Sequence, residues 1–221
     1  MCGLYSLKRS PGETRAWFRF TDEPDFPPRA HVAPGQPIGV VRMENGARRF
    51  ALVRWGFVPS WAKEVKPGRQ LINARGETVL EKPAFRAAMR RRRCLVPADG
   101  YYEWSGEAGR KTPYFVTRRD NGLFAFAGLW EHWMGADGSE LETAALMTIA
   151  PNAELAAIHD RMPVIIAPED YETWLTGAAE TAATLIRPAP EGSLVFAPAV
   201  IPRKAPPAGD DRAPQGQLTL L

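Results

Sequence analysis

The stretch IGVVRMENGARRFALVR, residues 38–54, decides the fold class. It contains two runs of apolar and β-branched residues, 38–43 and 50–54, which are typical of strands. Glu44-Asn45-Gly46 lies between them, and Asn-Gly between two such runs is a strong signal for a tight hairpin turn. We therefore predict an antiparallel hairpin at this point of the chain.

Most other segments with a clear pattern are also typical of strands. We predict strands at 94–98, 113–118, 123–130, 143–149, 163–166 and 193–201. Helical character is found at 77–92 with Pro83 near its start, at 152–158 with Asn152 as N-cap, and at 168–175.

Two turn signals fix how we expect these strands to connect. Asp99-Gly100 predicts a turn after 94–98, and Asp120-Asn121-Gly122 predicts that 113–118 pairs with 123–130. Strands outnumber helices and are mostly joined by short turns. The predicted fold is therefore α+β, with an antiparallel, partly closed β-barrel and peripheral helices.

Composition limits the class of protein. The 221 residues suffice for one domain, and we predict a domain over 1–203 followed by a flexible, Pro- and Ala-rich tail over 204–221. No apolar run is long enough to cross a bilayer or to form a signal peptide, so we expect a cytoplasmic monomer without membrane contact. The 2 cysteines and 3 scattered histidines show no metal-ligand spacing, so no metal and no cofactor is expected.

Basic residues are clustered although the net charge is only +3. The clusters contain Arg86, Arg90, Arg91, Arg92 and Arg93, and upstream Arg48, Arg49 and Arg54. Such clusters suit a nucleic-acid backbone, and the alternative is a solvated helix face.

Cys2 is the residue whose position implies the most specific chemistry. Its side chain is small enough for Met1 to be removed, which would leave an α-amine and a thiol on adjacent carbons. Both groups titrate near neutral pH and are partly nucleophilic there. The amine of such a 1,2-aminothiol forms an imine with an aldehyde, and the sulfur then closes a thiazolidine ring. The alternative is a buried N-terminal cysteine without a role.

Several motifs in order resemble one family. They are Cys2-Gly3, Trp55–Trp61, Asn73–Thr78, Arg92–Trp104, Phe126–Glu131 and His159–Pro163. Over most of residues 2–202 the chain resembles the SOS response-associated peptidase (SRAP) family. The resemblance implies a thiazolidine between Cys2 and the ring-opened sugar of an abasic site in single-stranded DNA, which shields the lesion near the nucleoid. Gly76 and Tyr101 depart from the usual alanine and phenylalanine, but neither is a presumed catalytic residue.

Together with the chemistry of their side chains, the resemblance suggests roles for three further residues. Glu103, among aromatic residues, is expected to have a raised pKa and to exchange protons with the N-terminal amine or the ring oxygen. His159 suits acid–base catalysis of sugar opening and adduct reversal. Asn73 can hold the sugar hydroxyl or orient the N-terminus. The alternatives are a rim carboxylate, a structural histidine and a turn residue.

Six residues are predicted to contact DNA. Arg75 and Arg161 would meet phosphates, Trp61 and Trp104 would stack on bases, and Pro34 and Met162 would act as wedges. Cys94 is predicted to be a buried core thiol.

Two other functions remain open at this stage. Met-Cys-Gly also begins N-terminal-nucleophile amidohydrolases, in which the thiolate attacks an amide, and the family name itself records a proposed peptidase activity. A non-covalent module for damaged DNA is the third interpretation. The sequence does not decide whether strand cleavage accompanies capture.

The end of the chain carries a separate signal. Gln217-Leu218-Thr219-Leu220-Leu221 resembles Gln-Leu-x-Leu-Phe peptides that dock on the bacterial sliding clamp. The alternative is an apolar plug that packs on the domain.

Overall fold

The computed structural model describes residues 3–23, 26–65, 70–107 and 109–201. Cys2 and the predicted tail over 204–221, including its clamp-like peptide, lie outside the described residues.

The described residues form thirteen strands and five α-helices. The strands are β1 (Tyr5–Leu7), β2 (Arg29–Val32), β3 (Pro37–Glu44), β4 (Ala47–Trp55), β5 (Asn73–Arg75), β6 (Arg93–Ala98), β7 (Gly100–Ser105), β8 (Thr112–Arg118), β9 (Phe124–Met134), β10 (Glu140–Ile149), β11 (Met162–Pro163), β12 (Ile165–Ile166) and β13 (Leu194–Pro198). The helices are α1 (Pro11–Phe18), α2 (Arg86–Arg91), α3 (Ala153–Ala156), α4 (Tyr171–Thr176) and α5 (Ala179–Ala183).

Five strands close a barrel. β10, β4, β3, β6 and β9 are paired in that order, and β9 pairs back to β10. The β10–β4 pair is parallel and the other four are antiparallel. The α+β class with a mostly antiparallel barrel is thus confirmed, and the ring is closed rather than partly closed.

Short strands extend the barrel at two places. β5 and β11 pair with β10, and β12 pairs with β9. A second sheet has the order β13-β8-β7-β1-β2 and packs beside the barrel.

The chain passes from the barrel to the second sheet at Asp99. Asp99 lies between β6 and β7, and its buried carboxylate accepts hydrogen bonds from Ser6 Oγ at 2.5 Å and from the backbone N–H of Lys8. The predicted turn at Asp99-Gly100 is therefore a bend that sends the chain onward into another sheet. It does not reverse the chain into a hairpin.

The predicted hairpin over 38–54 is confirmed. β3 and β4 pair from Pro37↔Arg54 to Glu44↔Ala47, which leaves Asn45 and Gly46 as the two turn residues. Their φ angles are 50° and 76°, and a type I′ turn requires such left-handed values at both central positions.

The predicted pairing of 113–118 with 123–130 is wrong, although both segments are strands. β8 pairs with β7 and β13 in the second sheet, whereas β9 pairs with β6, β10 and β12. One edge of β8 pairs with the preceding strand β7, which was not predicted, and the other pairs with β13, which is distant in sequence. The turn at Asp120-Asn121-Gly122 thus connects two sheets.

An aromatic cluster fills the core between the barrel and the second sheet. The ring of Tyr5 lies 5.5 Å from Trp55 and 5.7 Å from Phe126, and Tyr101 lies 5.9 Å from Phe126, between ring centroids. All four residues are fully buried. Cys94 in β6 is also fully buried, as predicted, and burial raises the pKa of its thiol.

The helical segments predicted at 77–92 and 152–158 contain shorter helices, whereas 168–175 is helical, as a 3₁₀ turn at Pro168–Asp170 followed by α4. Segment 77–92 contains a 3₁₀ turn at Gly76–Thr78 and then α2, and the arginine cluster divides. Arg93 is buried and donates to the carbonyl oxygens of Trp174 at 2.5 Å and Met89 at 2.6 Å, while Arg92 pairs with Glu131. Those two arginines serve the interior, because the described strands and helices surround them.

Helix α1 was not predicted, although its start carries a clear signal. Ser10 Oγ accepts from the N–H of Glu13, and the Glu13 carboxylate accepts from the N–H of Ser10, which is a capping box. Within the described residues no helix is long and apolar enough to cross a membrane.

Candidate functional site

The end of β10 gathers the predicted site residues from two directions. Thr148 lies opposite Arg75 of β5 on one side and opposite Pro163 of β11 on the other. The barrel strand therefore places the segment that begins at Asn73 beside the segment that contains His159 and Arg161.

Strand β5 directs two of these side chains to the same side. Successive side chains of a strand alternate between faces, so Asn73 and Arg75 project together while Ala74 points into the core. Ala74 is fully buried, Asn73 is half-buried and Arg75 is exposed. Arg75 is thus available to a ligand at the surface.

Strand β7 buries Glu103. By the same alternation Glu103 shares a face with Tyr101, which packs in the aromatic cluster, whereas Trp104 lies on the opposite face. Glu103 is only 3% exposed, and its burial raises the pKa of the carboxyl to about 7. A carboxyl with this pKa is present in both protonation states at neutral pH.

His159 follows helix α3 and lies close to the carboxyl group of Glu103. Asn152 caps the helix by accepting from the N–H of Leu155 at 3.0 Å, as predicted, and the N–H of His159 donates to the carbonyl of Leu155 at 3.0 Å. His159 Nε2 then lies 4.0 Å from Glu103 Oε2. The two predicted acid–base residues are therefore neighbours, although 56 positions separate them in sequence.

The second ring nitrogen of His159 has a defined partner. The backbone N–H of Arg161 donates to Nδ1 at 3.0 Å, and burial lowers the pKa of the imidazole. A nitrogen that accepts a hydrogen bond carries no proton, so this contact favours the neutral tautomer with its proton on Nε2, toward Glu103. Asp160 Oδ1 also lies 2.8 Å from Nδ1 and favours the opposite tautomer.

The first described residues run directly beside Glu103. Tyr5 pairs with Tyr101 in antiparallel register, and the N–H of Tyr102 donates to the carbonyl of Leu4 at 2.9 Å. Continued one residue beyond Leu4, this register would bring Gly3 opposite Glu103. Gly3 is joined to Cys2 by a peptide bond, and Cys2 itself lies outside the described residues.

Arg161 is bound within the protein. Its Nη2 lies 2.8 Å from Glu77 Oε2 and 2.7 Å from the carbonyl oxygen of Thr148, and its Nη1 lies 2.5 Å from Glu77 Oε1. The side chain is 15% exposed. This arrangement does not support the predicted phosphate contact of Arg161, because both terminal nitrogens already have acceptors.

The remaining predicted DNA contacts differ in accessibility. Trp61 is 67% exposed and borders a groove of about 560 Å³, and Pro34 is exposed on a loop held to Trp55 by the N–H of Gly35 at 2.7 Å. Trp104 is half-buried. Met162 is 1% exposed, and its sulfur accepts from the N–H of Asn152, so the predicted wedge role does not fit its burial.

Glu77 lies in one of the family-like motifs and Thr148 in a predicted strand, but the sequence indicated no role for either residue. Their function depends on contacts with Arg161, which lies 84 residues from Glu77 and 13 from Thr148. The local sequence shows only that an acidic residue, Glu77, follows Arg75 by two positions, and this does not indicate its pairing with Arg161. Across the described parts of the chain, no group of three or more His, Cys, Asp or Glu residues is arranged to hold a metal ion.

The chain resembles known proteins over most of its length. A sequence profile described as SOS response associated peptidase (SRAP) matches residues 1–200. The abasic site processing proteins YoqW and YoaM of Bacillus subtilis are each 39% identical over 179 residues, covering 79% of this chain and 80% and 79% of theirs. A crystal structure of a protein from Bacteroides thetaiotaomicron superposes with a TM-score of 0.81 at 25% identity, covering 88% of this chain and 90% of that one. The chain belongs to the SOS response associated peptidase (SRAP) family.

Proposed function

We propose that this protein captures abasic sites in single-stranded DNA through a thiazolidine bond to Cys2, formed after Met1 has been removed. The observation that carries the proposal is the register of β1 on β7. It places Leu4 beside Tyr102, so that the preceding residues lead toward Glu103, and Glu103 Oε2 lies 4.0 Å from His159 Nε2. The names of the relatives, abasic site processing proteins, support the same target.

The first step is attack by the N-terminal amine on the aldehyde carbon of the ring-opened deoxyribose. A new C–N bond forms, the carbonyl oxygen takes up the two protons that the amine nitrogen gives up and leaves as water, and an imine results. Glu103, with a pKa of about 7, can remove a proton from the ammonium and return it to the leaving oxygen.

The second step closes the ring. The Cys2 sulfur adds to the imine carbon, its proton moves to the nitrogen, and the product is a five-membered thiazolidine. The overall reaction joins the aldehyde and the aminothiol with loss of one water, and it needs no oxidant. Neutral His159, with its Nε2 proton toward Glu103, suits opening of the closed sugar and release of the adduct.

Non-covalent contacts would hold the strand in place. Arg75 is exposed beside Asn73 and suits a phosphate next to the lesion. Trp61 offers an exposed ring on which a base can stack. Binding to the sliding clamp through 217–221, the monomeric state and the cytoplasmic, nucleoid location remain predictions.

Substitution of Cys2 tests the covalent step. Cys2→Ala should abolish the heat-stable adduct with single-stranded DNA that contains an abasic site, while DNA affinity changes little, because phosphate contacts come from other residues. Intact-mass analysis without borohydride measures the adduct, and anisotropy measures binding. Cys94→Ala is the matched control and should react normally, since Cys94 is buried away from the site.

Each outcome separates the alternatives. A stable adduct in Cys2→Ala would exclude the thiazolidine. Binding without an adduct in the wild-type protein would favour a non-covalent module. Release of ammonia from glutamine by the wild type would favour the amidohydrolase.

A further inference from the structure

The ion pair between Glu77 and Arg161 lies next to His159, whose Nδ1 accepts from the backbone N–H of Arg161. Both oxygens of the Glu77 carboxylate bond to the guanidinium, and the carbonyl of Thr148 takes a third hydrogen bond from the same group. Bidentate pairs of this kind restrict the arginine to one orientation. The guanidinium therefore fixes residue 161 to β10 and to the 3₁₀ turn at Gly76–Thr78.

Residue 161 in turn determines the hydrogen bonding of His159. The backbone N–H of Arg161 points at Nδ1, and the carboxylate of Asp160 lies 2.8 Å from the same nitrogen. Nδ1 cannot accept from the amide and donate to the carboxylate at once. Fixing Arg161 decides this competition in favour of the tautomer with its proton on Nε2.

We propose that Glu77 is a positioning residue: by anchoring Arg161 it holds the imidazole of His159 with Nε2–H directed at Glu103. Glu77 acts on His159 through Arg161, whose guanidinium it binds and whose backbone N–H reaches the imidazole. The kinetic part of this inference rests on the function proposed above, whereas the tautomer of His159 can be measured without DNA.

The anchor stays intact over the pH range in which His159 titrates. The hydrogen bonds from Arg161 hold the pKa of Glu77 at about 2, so its carboxylate is charged throughout that range. Among the described residues, the titratable groups that act on the imidazole are Glu103, Asp160 and Lys111. Loss of Glu77 would free the ring to turn toward Asp160 and would strengthen the contact that favours protonation.

Nitrogen-15 NMR of the histidine rings tests the proposal on the free, full-length protein. We expect wild-type His159 to show an unprotonated Nδ1 and a protonated Nε2 above its pKa. Glu77→Ala should shift it toward a mixture of tautomers and raise its pKa by roughly half a pH unit, because the ring turns toward the carboxylate of Asp160. Glu77→Gln keeps one acceptor oxygen and should give an intermediate result.

Glu142→Ala is the matched control. It removes a carboxylate that lies 2.8 Å from Arg42, in another partly buried arginine pair, and should leave the His159 signals unchanged. His31 and His132 provide internal references in every spectrum. Unchanged His159 tautomers in folded Glu77→Ala, or in Glu77→Gln if the alanine variant does not fold, would overturn the positioning role.

Single-turnover capture of an abasic strand gives the second readout. Glu77→Ala should slow adduct formation about tenfold or more without a matching loss of DNA affinity, because only the orientation of the acid–base group changes. An equal loss of affinity and rate would instead assign Glu77 to DNA binding. Absence of an adduct in the wild type would reject the proposed function and leave the NMR result valid.

Discussion

Glu103 is as buried as a core residue, although its side chain carries a carboxyl group whose charged form is unfavourable in a core. Sequence reasoning could nominate it, along with Cys2, Asn73 and His159, because their side chains carry recognisable chemistry within motifs. The ion pair of Arg161 with Glu77 was not predictable, because no local sequence pattern links residues that are 84 positions apart. The burial of Met162 was not predicted either, because it depends on the pairing of β11 with β10.

The raised pKa of Glu103 predicts a pH-dependent cost in stability. Burial raises this pKa from the ordinary value of 4.5 to about 7, so the native state binds the extra proton between these values. Native stability contributed by this proton is present below about pH 4.5 and is lost as the pH rises through about 7.

We therefore expect Glu103→Gln, which mimics the protonated carboxyl, to stabilise the protein at pH 8 by about 1–3 kcal/mol and much less at pH 5. Urea unfolding at the two pH values measures the difference. The same variant should slow adduct formation by about 10²–10⁴ because proton exchange is lost. An equal effect on stability at both pH values would contradict the burial of a titrating carboxyl.

At the scale of elements, local signals predicted what local interactions determine. The Asn45-Gly46 hairpin and the Asn152 cap were found from sequence because the turn and the cap each depend on a few adjacent residues. The pairing of 113–118 with 123–130 was wrong because β8 pairs with the preceding strand β7, which the sequence did not predict, and with β13. The register between β8 and the distant strand β13 has no local signature.

The cap of α3 should affect both stability and chemistry. Asn152→Ala removes the acceptor for the N–H of Leu155 and the donor to the carbonyl of Ala189, at a cost of about 1–3 kcal/mol. Because α3 leads directly into His159, adduct formation should slow as well. Thermal unfolding and single-turnover capture measure the two effects.

Ser10→Ala is the matched control for this prediction. Ser10 caps α1, a helix with no site residue, so its loss should lower stability by about 1 kcal/mol and leave the capture rate unchanged. Equal rate losses in both variants would mean that general destabilisation, rather than the position of His159, explains the Asn152 result.

At the scale of the molecule, the fold depends on two sheets, and the chain passes from the barrel to the second sheet at Asp99 and Gly100. A Cβ on Gly100 would lie 2.2 Å from Cζ of Phe115, so the ring of β8 occupies the space over this glycine. A barrel could be expected from sequence, although only eight strands were predicted where the described residues form thirteen. The division of the strands between two sheets could not be predicted, because it follows from packing across the whole molecule.

Gly100→Ala should destabilise the protein by about 1–3 kcal/mol, because Phe115 must move from its packed position. Adding Phe115→Leu should restore part of the loss by making room. Gly12→Ala, where nothing lies within 4 Å of the added carbon, is the control and should be neutral or slightly stabilising. Chemical unfolding of the four proteins gives the comparison, and no gain in the double variant would refute the steric explanation.

Because Cys94 is buried, the rate at which its thiol is labelled reports how often the barrel opens. In a Cys2→Ala protein Cys94 is the sole thiol, and it lies opposite Gly128 where β6 meets β9. A thiol reagent can reach it only during a fluctuation that separates those strands, so the labelling rate relative to an exposed thiol reports the frequency of such openings. If bound single-stranded DNA reduces these openings of the barrel, labelling of Cys94 will slow in proportion to the occupancy of the DNA site. Binding of the lesion can then be measured as protection of a buried sulfur.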